Sequence, residues 1–133
     1  MRKHAPAARP SILIADEVED LTDVYGFLFT AAGYRVLRAY DGLTASALAK
    51  VMKPQVAILN QHLPGLSGLA VLRELVEAGA RTRVIITSGM DEFSALAERA
   101  LALGAKYCVR QPCPADRLLR MASAIRATSA PGR

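Results

Sequence analysis

The sequence predicts an α/β protein: a doubly wound, five-stranded parallel sheet with five helices. Three observations predict it. Short apolar runs of strand length alternate with longer segments whose apolar residues recur at three- and four-residue steps. The runs Ile12-Leu13-Ile14-Ala15 and Val56-Ala57-Ile58-Leu59 show no polar alternation, as strands covered on both faces require. The joints between segments fall on Gly, Pro and Asp-Gly. Strands alternating with helices give a parallel sheet, and right-handed crossovers then leave the doubly wound topology.

The first strand is Ser11–Ala15, ending in Asp16-Glu17. Val18, Leu21, Tyr25, Leu28, Phe29 and Ala32 follow at helical spacing, and Gly33 supplies the stop. Tyr34–Arg38 reads as the second strand. Asp41-Gly42 is a turn, Leu43–Met52 an Ala-rich helix, and Pro54 its breaker. Val56–Leu59 is the third strand and ends at Asn60. Leu63-Pro64-Gly65-Leu66-Ser67-Gly68 is a loop. Leu69, Leu72 and Val76 mark the third helix, closed by Gly79. Arg83–Thr87 is the fourth strand, followed by Ser88-Gly89 and a loop opening at Met90. Phe93, Leu96, Ala97, Ala100 and Leu101 form the fourth helix face, closed by Gly104. Lys106–Arg110 is the fifth strand. Pro114 starts a last helix through Leu118, Leu119, Ala122 and Ile125.

Composition sets the limits. At 133 residues the chain holds one domain, and 52% hydrophobic residues suffice for a core. The expected organisation is a disordered basic tail over 1–10, the domain over 11–127, and a frayed tail over 128–133. The net charge of +5 sits at the two ends of the sequence: Arg2, Lys3 and Arg9 at one, Arg117, Arg120, Arg126 and Arg133 at the other. The middle is slightly acidic. That distribution, without interleaved aromatics, argues against nucleic acid. No stretch reaches membrane-spanning length. Met1–Pro10 lacks the apolar run of a signal peptide. Cys108 and Cys113, five apart, make neither a CxxC pair nor a metal framework. A cytoplasmic protein with reduced thiols is expected.

Ligands on an open parallel sheet sit beyond the carboxyl ends of its strands. Those ends carry Asp16 and Glu17, Asn60, Thr87 and Ser88, and then Gln111. The acidic run Asp16-Glu17-Val18-Glu19-Asp20 would repel a phosphate, and no Gly-rich cradle follows the first strand. No nucleophile–base pair is evident. A flavodoxin-like enzyme or cofactor binder is therefore the remote alternative, and the chain is not expected to be an enzyme.

Five stretches in register carry a resemblance: Ile12-Leu13-Ile14-Ala15-Asp16-Glu17; Ala57 through Gly68 with its Leu63-Pro64-Gly65-Leu66-Ser67-Gly68 loop; Val84-Ile85-Ile86-Thr87-Ser88-Gly89; Ala102-Leu103-Gly104-Ala105; and Gln111-Pro112. Over residues 11–127 the chain resembles the response-regulator receiver domains of two-component signalling, a flavodoxin-like (βα)5 fold. In that family a histidine kinase phosphorylates an aspartate at the end of the third strand, with a divalent metal held by two acidic residues after the first.

The resemblance places Asp16 and Glu17 at the metal carboxylates, with the backbone carbonyl of His62 as a further ligand. Ser88 stands for the hydroxyl that binds phosphoryl oxygens. The acceptor position holds Asn60, a poor nucleophile. The lysine position holds the uncharged Gln111, and the aromatic switch position holds Cys108, with Tyr107 on the other face of the strand. A buried lysine would lack its anionic partner without a phosphoryl group, so these losses are connected. Mg²⁺ binding is weakened by the missing third carboxylate. Asn60 is expected to bridge Asp16 and Ser88. The reading is an atypical receiver that acts as a protein-interaction module; a receiver phosphorylated on another residue is the alternative. Its partner would be a histidine kinase, an output domain, another signalling protein or a second copy. That partner docks on the fourth and fifth helices, where Arg99, Lys106, Arg110, Arg117 and Arg120 face Asp91, Glu92, Glu98 and Asp116.

Overall fold

The computed structural model describes residues 9–89, 91 and 93–128. Most of the two expected tails, Met90 and Glu92 lie outside the described residues. The elements run β1 (Ser11–Ala15), α1 (Glu19–Ala31), β2 (Arg35–Ala39), α2 (Gly42–Met52), β3 (Val56–Asn60), α3 (Gly68–Glu77), β4 (Arg83–Ser88), α4 (Phe93–Leu103), β5 (Tyr107–Arg110) and α5 (Ala115–Thr128). The alternation expected from the sequence is present, with boundaries moved by a residue or two.

The strands pair in parallel in the order β2-β1-β3-β4-β5. Successive side chains leave a strand on opposite faces, so each apolar run feeds two half-cores. Leu13, Ala15, Ala57, Leu59, Val84 and Ile86 pack with residues of α2, α3 and α4. Ile12, Ile14, Val56, Ile58 and Ile85 pack with Tyr25 and Phe29 of α1 and Leu118, Ala122 and Ile125 of α5. Every residue of β3 is buried.

Local chemistry sets the helix ends. The Asp41 carboxylate accepts from Thr44 N at 2.7 Å and caps α2. That helix stops at Lys53, which takes a left-handed φ of 51° just before Pro54. Ser67 Oγ accepts from Ala70 N at 3.1 Å and caps α3. Gly33, with φ of 98°, makes the reversal from α1 into β2.

Four residues assigned to buried helix faces lie at the surface, among them Ala32, the C-cap of α1. Val18 precedes α1 as its N-cap, and its side chain is half exposed. Val76 and Leu101 are half exposed as well. Each sits at the edge of its apolar stripe, where spacing alone does not distinguish core from rim; the α3 core is Leu69, Val71, Leu72 and Leu75.

The folded chain sorts its charge along the strand direction. Asp16, Glu17, Glu19, Asp20, Asp41, Asp91 and Asp116 follow strand ends or begin helices at the carboxyl edge of the sheet. Arg9, Arg35, Lys53, Arg81, Arg83, Lys106 and Arg126 lie at the opposite, amino edge. Glu77 at the amino edge and Arg110 and Arg117 at the carboxyl edge run against the trend. The basic excess at the two ends of the sequence is thus only part of the pattern, because residues distant in the chain join one edge.

Candidate functional site

The carboxyl ends of β1, β3, β4 and β5 bring four polar side chains together. Asp16 follows β1 and is buried, as are Asn60 and Thr87. Gln111 follows β5 and is half-buried. Asn60 is the hub. Its Oδ1 accepts from the backbone N–H of His62 at 2.7 Å. A backbone N–H can only donate, so this contact fixes the orientation of the amide. Nδ2 then points inward and donates to Gln111 Oε1 at 2.8 Å, Asp16 Oδ2 at 3.2 Å and Thr87 Oγ1 at 3.4 Å. The two amide hydrogens are shared among three acceptors.

Asp16 is held by its own loop. Val18 N donates to its Oδ1 at 2.9 Å, and Thr22 Oγ1 donates to its carbonyl at 3.1 Å. Both carboxylate oxygens therefore accept hydrogen bonds from neutral groups. The loop after β3 is anchored from both sides. Gln61 N donates to Thr87 O at 2.8 Å, and Gln61 Oε1 accepts from Leu69 N at 2.9 Å at the start of α3. Gly68 allows this closeness: a Cβ there would stand 2.6 Å from the Asn60 carbonyl oxygen.

The bridge expected from Asn60 to Ser88 runs instead to Thr87. Parallel pairing sets Asn60 opposite Thr87, so both side chains leave the sheet on one side, and Ser88 falls on the other. Ser88 is fully buried. The register sets this: Val56 pairs with Arg83, so Asn60 and Thr87, each the fifth residue of its strand, stand opposite one another.

Glu17 and His62 are exposed on the loops beside the site. A divalent cation fits these residues poorly. One of the two carboxylates is already engaged at both oxygens, and the side chain between them and Thr87 is an amide. Among the described residues no group of three or more His, Cys, Asp and Glu side chains is placed to hold a metal ion.

The expected switch and interface residues lie on a different surface. Arg99 on α4 and Tyr107 and Arg110 on β5 are exposed. The Arg110 guanidinium stands 4.7 Å from the centre of the Phe93 ring. Cys108 is half-buried against the α2–α4 half-core, and burial pushes its thiol pKa up. Cys113 is buried, its thiol likewise raised chiefly by burial, and Tyr25 Oη donates to its carbonyl at 3.2 Å. Both cysteines are free thiols.

A β2-β1-β3-β4-β5 sheet with its polar cluster at the carboxyl edge defines a flavodoxin-like fold. Residues 12–123 match the response regulator receiver domain family, and the chain belongs to that family. It is 41% identical over 86 residues to protein-glutamate methylesterase/protein-glutamine glutaminase 5 of Myxococcus xanthus, covering 64% of this chain and 25% of that protein. It is 36% identical over 103 residues to the positive alginate biosynthesis regulatory protein of Pseudomonas aeruginosa, covering 76% and 39%. The chain thus spans well under half the length of both relatives. Its fold matches the receiver domain of response regulator 1452 from Francisella with a TM-score of 0.85 at 23% identity, covering 91% of this chain and 99% of that one. It is a receiver domain of two-component signalling. No helix among the described residues is long and apolar enough to cross a membrane.

Proposed function

We propose that this receiver works as a cytoplasmic protein-interaction module and not through standard aspartyl phosphorylation. Asn60 takes the place of the family's phospho-acceptor, and Gln111 that of its lysine. One observation carries the reading: the Asn60 amide is engaged at both ends, by His62 N on one side and by Gln111, Asp16 and Thr87 on the other. An amide nitrogen has no free lone pair to attack phosphorus, and this one spends its hydrogens on neighbours. The loss of the acceptor and the loss of the lysine compensate each other. Neutral Asn60 and neutral Gln111 satisfy one another, where a lone lysine would leave a charge without its phosphoryl partner.

The signal would then be the docking itself. The surface formed by α4, β5 and α5, with Arg99, Tyr107 and Arg110 exposed, would receive a kinase, an output domain, another signalling protein or a second copy of the chain. Mass spectrometry after incubation with acetyl phosphate and Mg²⁺ tests the reading, with Asn60→Asp in parallel. The parent chain is expected to gain no phosphoryl adduct. A hydroxylamine-labile phosphate on the parent would refute it.

A further inference from the structure

The second helix is apolar nearly all the way round. Of the eleven residues of α2, only Thr44, Ser46 and Lys50 carry polar side chains. Its buried face is Gly42, Ala45, Ser46 and Ala49, and the Ser46 hydroxyl is spent on Glu74 of α3. The outward face is the more apolar of the two. Val51 is 75%, Leu43 64% and Met52 46% exposed, and Ala47 is exposed as well. Leu43, Ala47 and Val51 stand four residues apart and form one stripe along the helix. A helix that is apolar on every side is a covered helix, and α2 is covered on one side only.

The patch runs on past the start of the helix. Gly42 N donates to Pro64 O at 2.8 Å, and a Cβ on Gly65 would stand 3.5 Å from Leu43 Cγ. Exposed Pro64 and Gly65 thus extend the surface beside Leu43. Charged groups mark the two ends of α2, and they differ in sign. Asp41 is the N-cap, Lys50 lies in the last turn, and exposed Lys53 is the C-cap. The helix itself contains no acidic residue.

We propose that two copies of this chain pair antiparallel along α2, with Ala47 at the two-fold axis and Leu43 of each copy packed against Val51 of the other. Leu43 and Val51 lie on either side of Ala47, each about 6 Å away along the axis at 1.5 Å per residue. The stripe is therefore large, small, large, and it matches itself when reversed. The small central side chain lets the two helices approach closely. Antiparallel pairing brings the acidic start of each helix beside the basic end of the other, whereas parallel pairing would set like ends together. An unrelated partner would need this spacing and the reverse polarity, and a second copy carries both by construction. The stripe is narrow, so the dimer falls at the small end of specific interfaces and exchanges with monomer on the order of tens of micromolar. Because α2 packs beside α3 and on β1 and β2, this interface is independent of the α4–β5–α5 surface.

Sedimentation velocity on the full chain, from about 1 µM to about 300 µM, tests the proposal. The parent is expected to shift from monomer to dimer across that range. Leu43→Glu and Val51→Arg should each weaken association by about tenfold or more, with unchanged circular dichroism spectra. An equimolar mixture of those two variants should associate more tightly than either alone. In the mixed dimer the new carboxylate meets the new guanidinium, and the remaining Val51 still meets the remaining Leu43. Arg99→Glu, on α4, should associate like the parent. A parent that stays monomeric throughout overturns the proposal. So does a Leu43→Glu or Val51→Arg chain that dimerises like the parent, a mixture that associates no better than its components, or a loss of association in Arg99→Glu.

Discussion

Asn60 Nδ2 stands 2.8 Å from Gln111 Oε1, and this bond ties the end of β3 to the segment after β5, across β4 between them. The site is thereby closed by neutral groups. What holds its strand ends together is directional hydrogen bonding and not a charge pair.

Removing one partner should expose that coupling. Gln111→Ala leaves Asn60 with Asp16 and Thr87 as acceptors, so the expected loss is modest, about 1 kcal/mol. Asn60→Ala strips several partners at once and should cost about 2–3 kcal/mol. The double variant should cost less than the two losses combined, by about 0.5–1 kcal/mol. Urea denaturation of the four chains gives the cycle; strict additivity would mean that the pair is not coupled.

Asn60→Asp should make stability depend on pH in a stated direction. The new carboxylate would face Asp16 Oδ2 at the 3.2 Å now spanned by an amide hydrogen bond. Like charges at that separation raise the pKa of the pair in the folded state. A carboxyl group raised on folding is stable when protonated and loses stability as pH rises through the raised value. Relative to the parent, the variant should therefore be weaker at pH 7 than near pH 4, by about 1–3 kcal/mol. Mg²⁺ at neutral pH should recover part of the loss in the variant and not in the parent. Thermal melts at the two pH values, with and without Mg²⁺, provide the measurement.

Much of this was legible in the sequence. Unbroken apolar runs of four or five residues bounded by breakers fit doubly covered strands, and Gly33, Pro54, Gly79 and Gly104 marked where helices stop. The gathering of Asp16, Asn60 and Gln111 followed from their places at strand ends. What escaped was lateral. Thr87 and Ser88 are adjacent hydroxyls, and only the register with β3 decides which one faces Asn60. Val76 and Leu101 fit a helical period as well as any core residue, and their exposure depends on how far neighbouring helices reach. The collection of basic side chains at the amino edge was invisible for the same reason, since it joins residues that the chain keeps far apart.

The bond between α2 and α3 should appear in acid. Buried Ser46 donates to Glu74 Oε1 at 2.6 Å, and Lys50 Nζ reaches the same oxygen at 3.1 Å. The Ser46 hydrogen bond first, and Lys50 second, hold the Glu74 carboxyl below its ordinary range. A carboxyl lowered on folding contributes stability at neutral pH, and the contribution fades as pH falls from the ordinary glutamate value through the lowered one. Ser46→Ala should move the Glu74 titration upward and narrow that window. Carboxyl-detected NMR titration of both chains reads the shift directly; an unmoved Glu74 would contradict the assigned cause.

Gly68→Ala should be costly out of proportion to one methyl group. Its Cβ would lie 2.6 Å from the Asn60 carbonyl oxygen and 3.0 Å from the carbonyl carbon, both backbone atoms that cannot swing aside. The start of α3 must retreat from β3, at about 2–3 kcal/mol. Gly79→Ala meets no atom within 4 Å but must adopt a φ of 71°. Its cost is conformational and should be nearer 1 kcal/mol. Equal midpoints in denaturant for the two variants would count against steric contact at Gly68.

The sorting of acids to one edge and bases to the other gives the domain an electric dipole along its strands. Such a molecule is turned by the field of a charged neighbour before the two surfaces touch. Long-range attraction then selects the orientation in which contact is made, and short-range packing decides how long it lasts. Added salt should accordingly slow encounter with an oppositely charged partner while leaving the lifetime of the complex nearly unchanged.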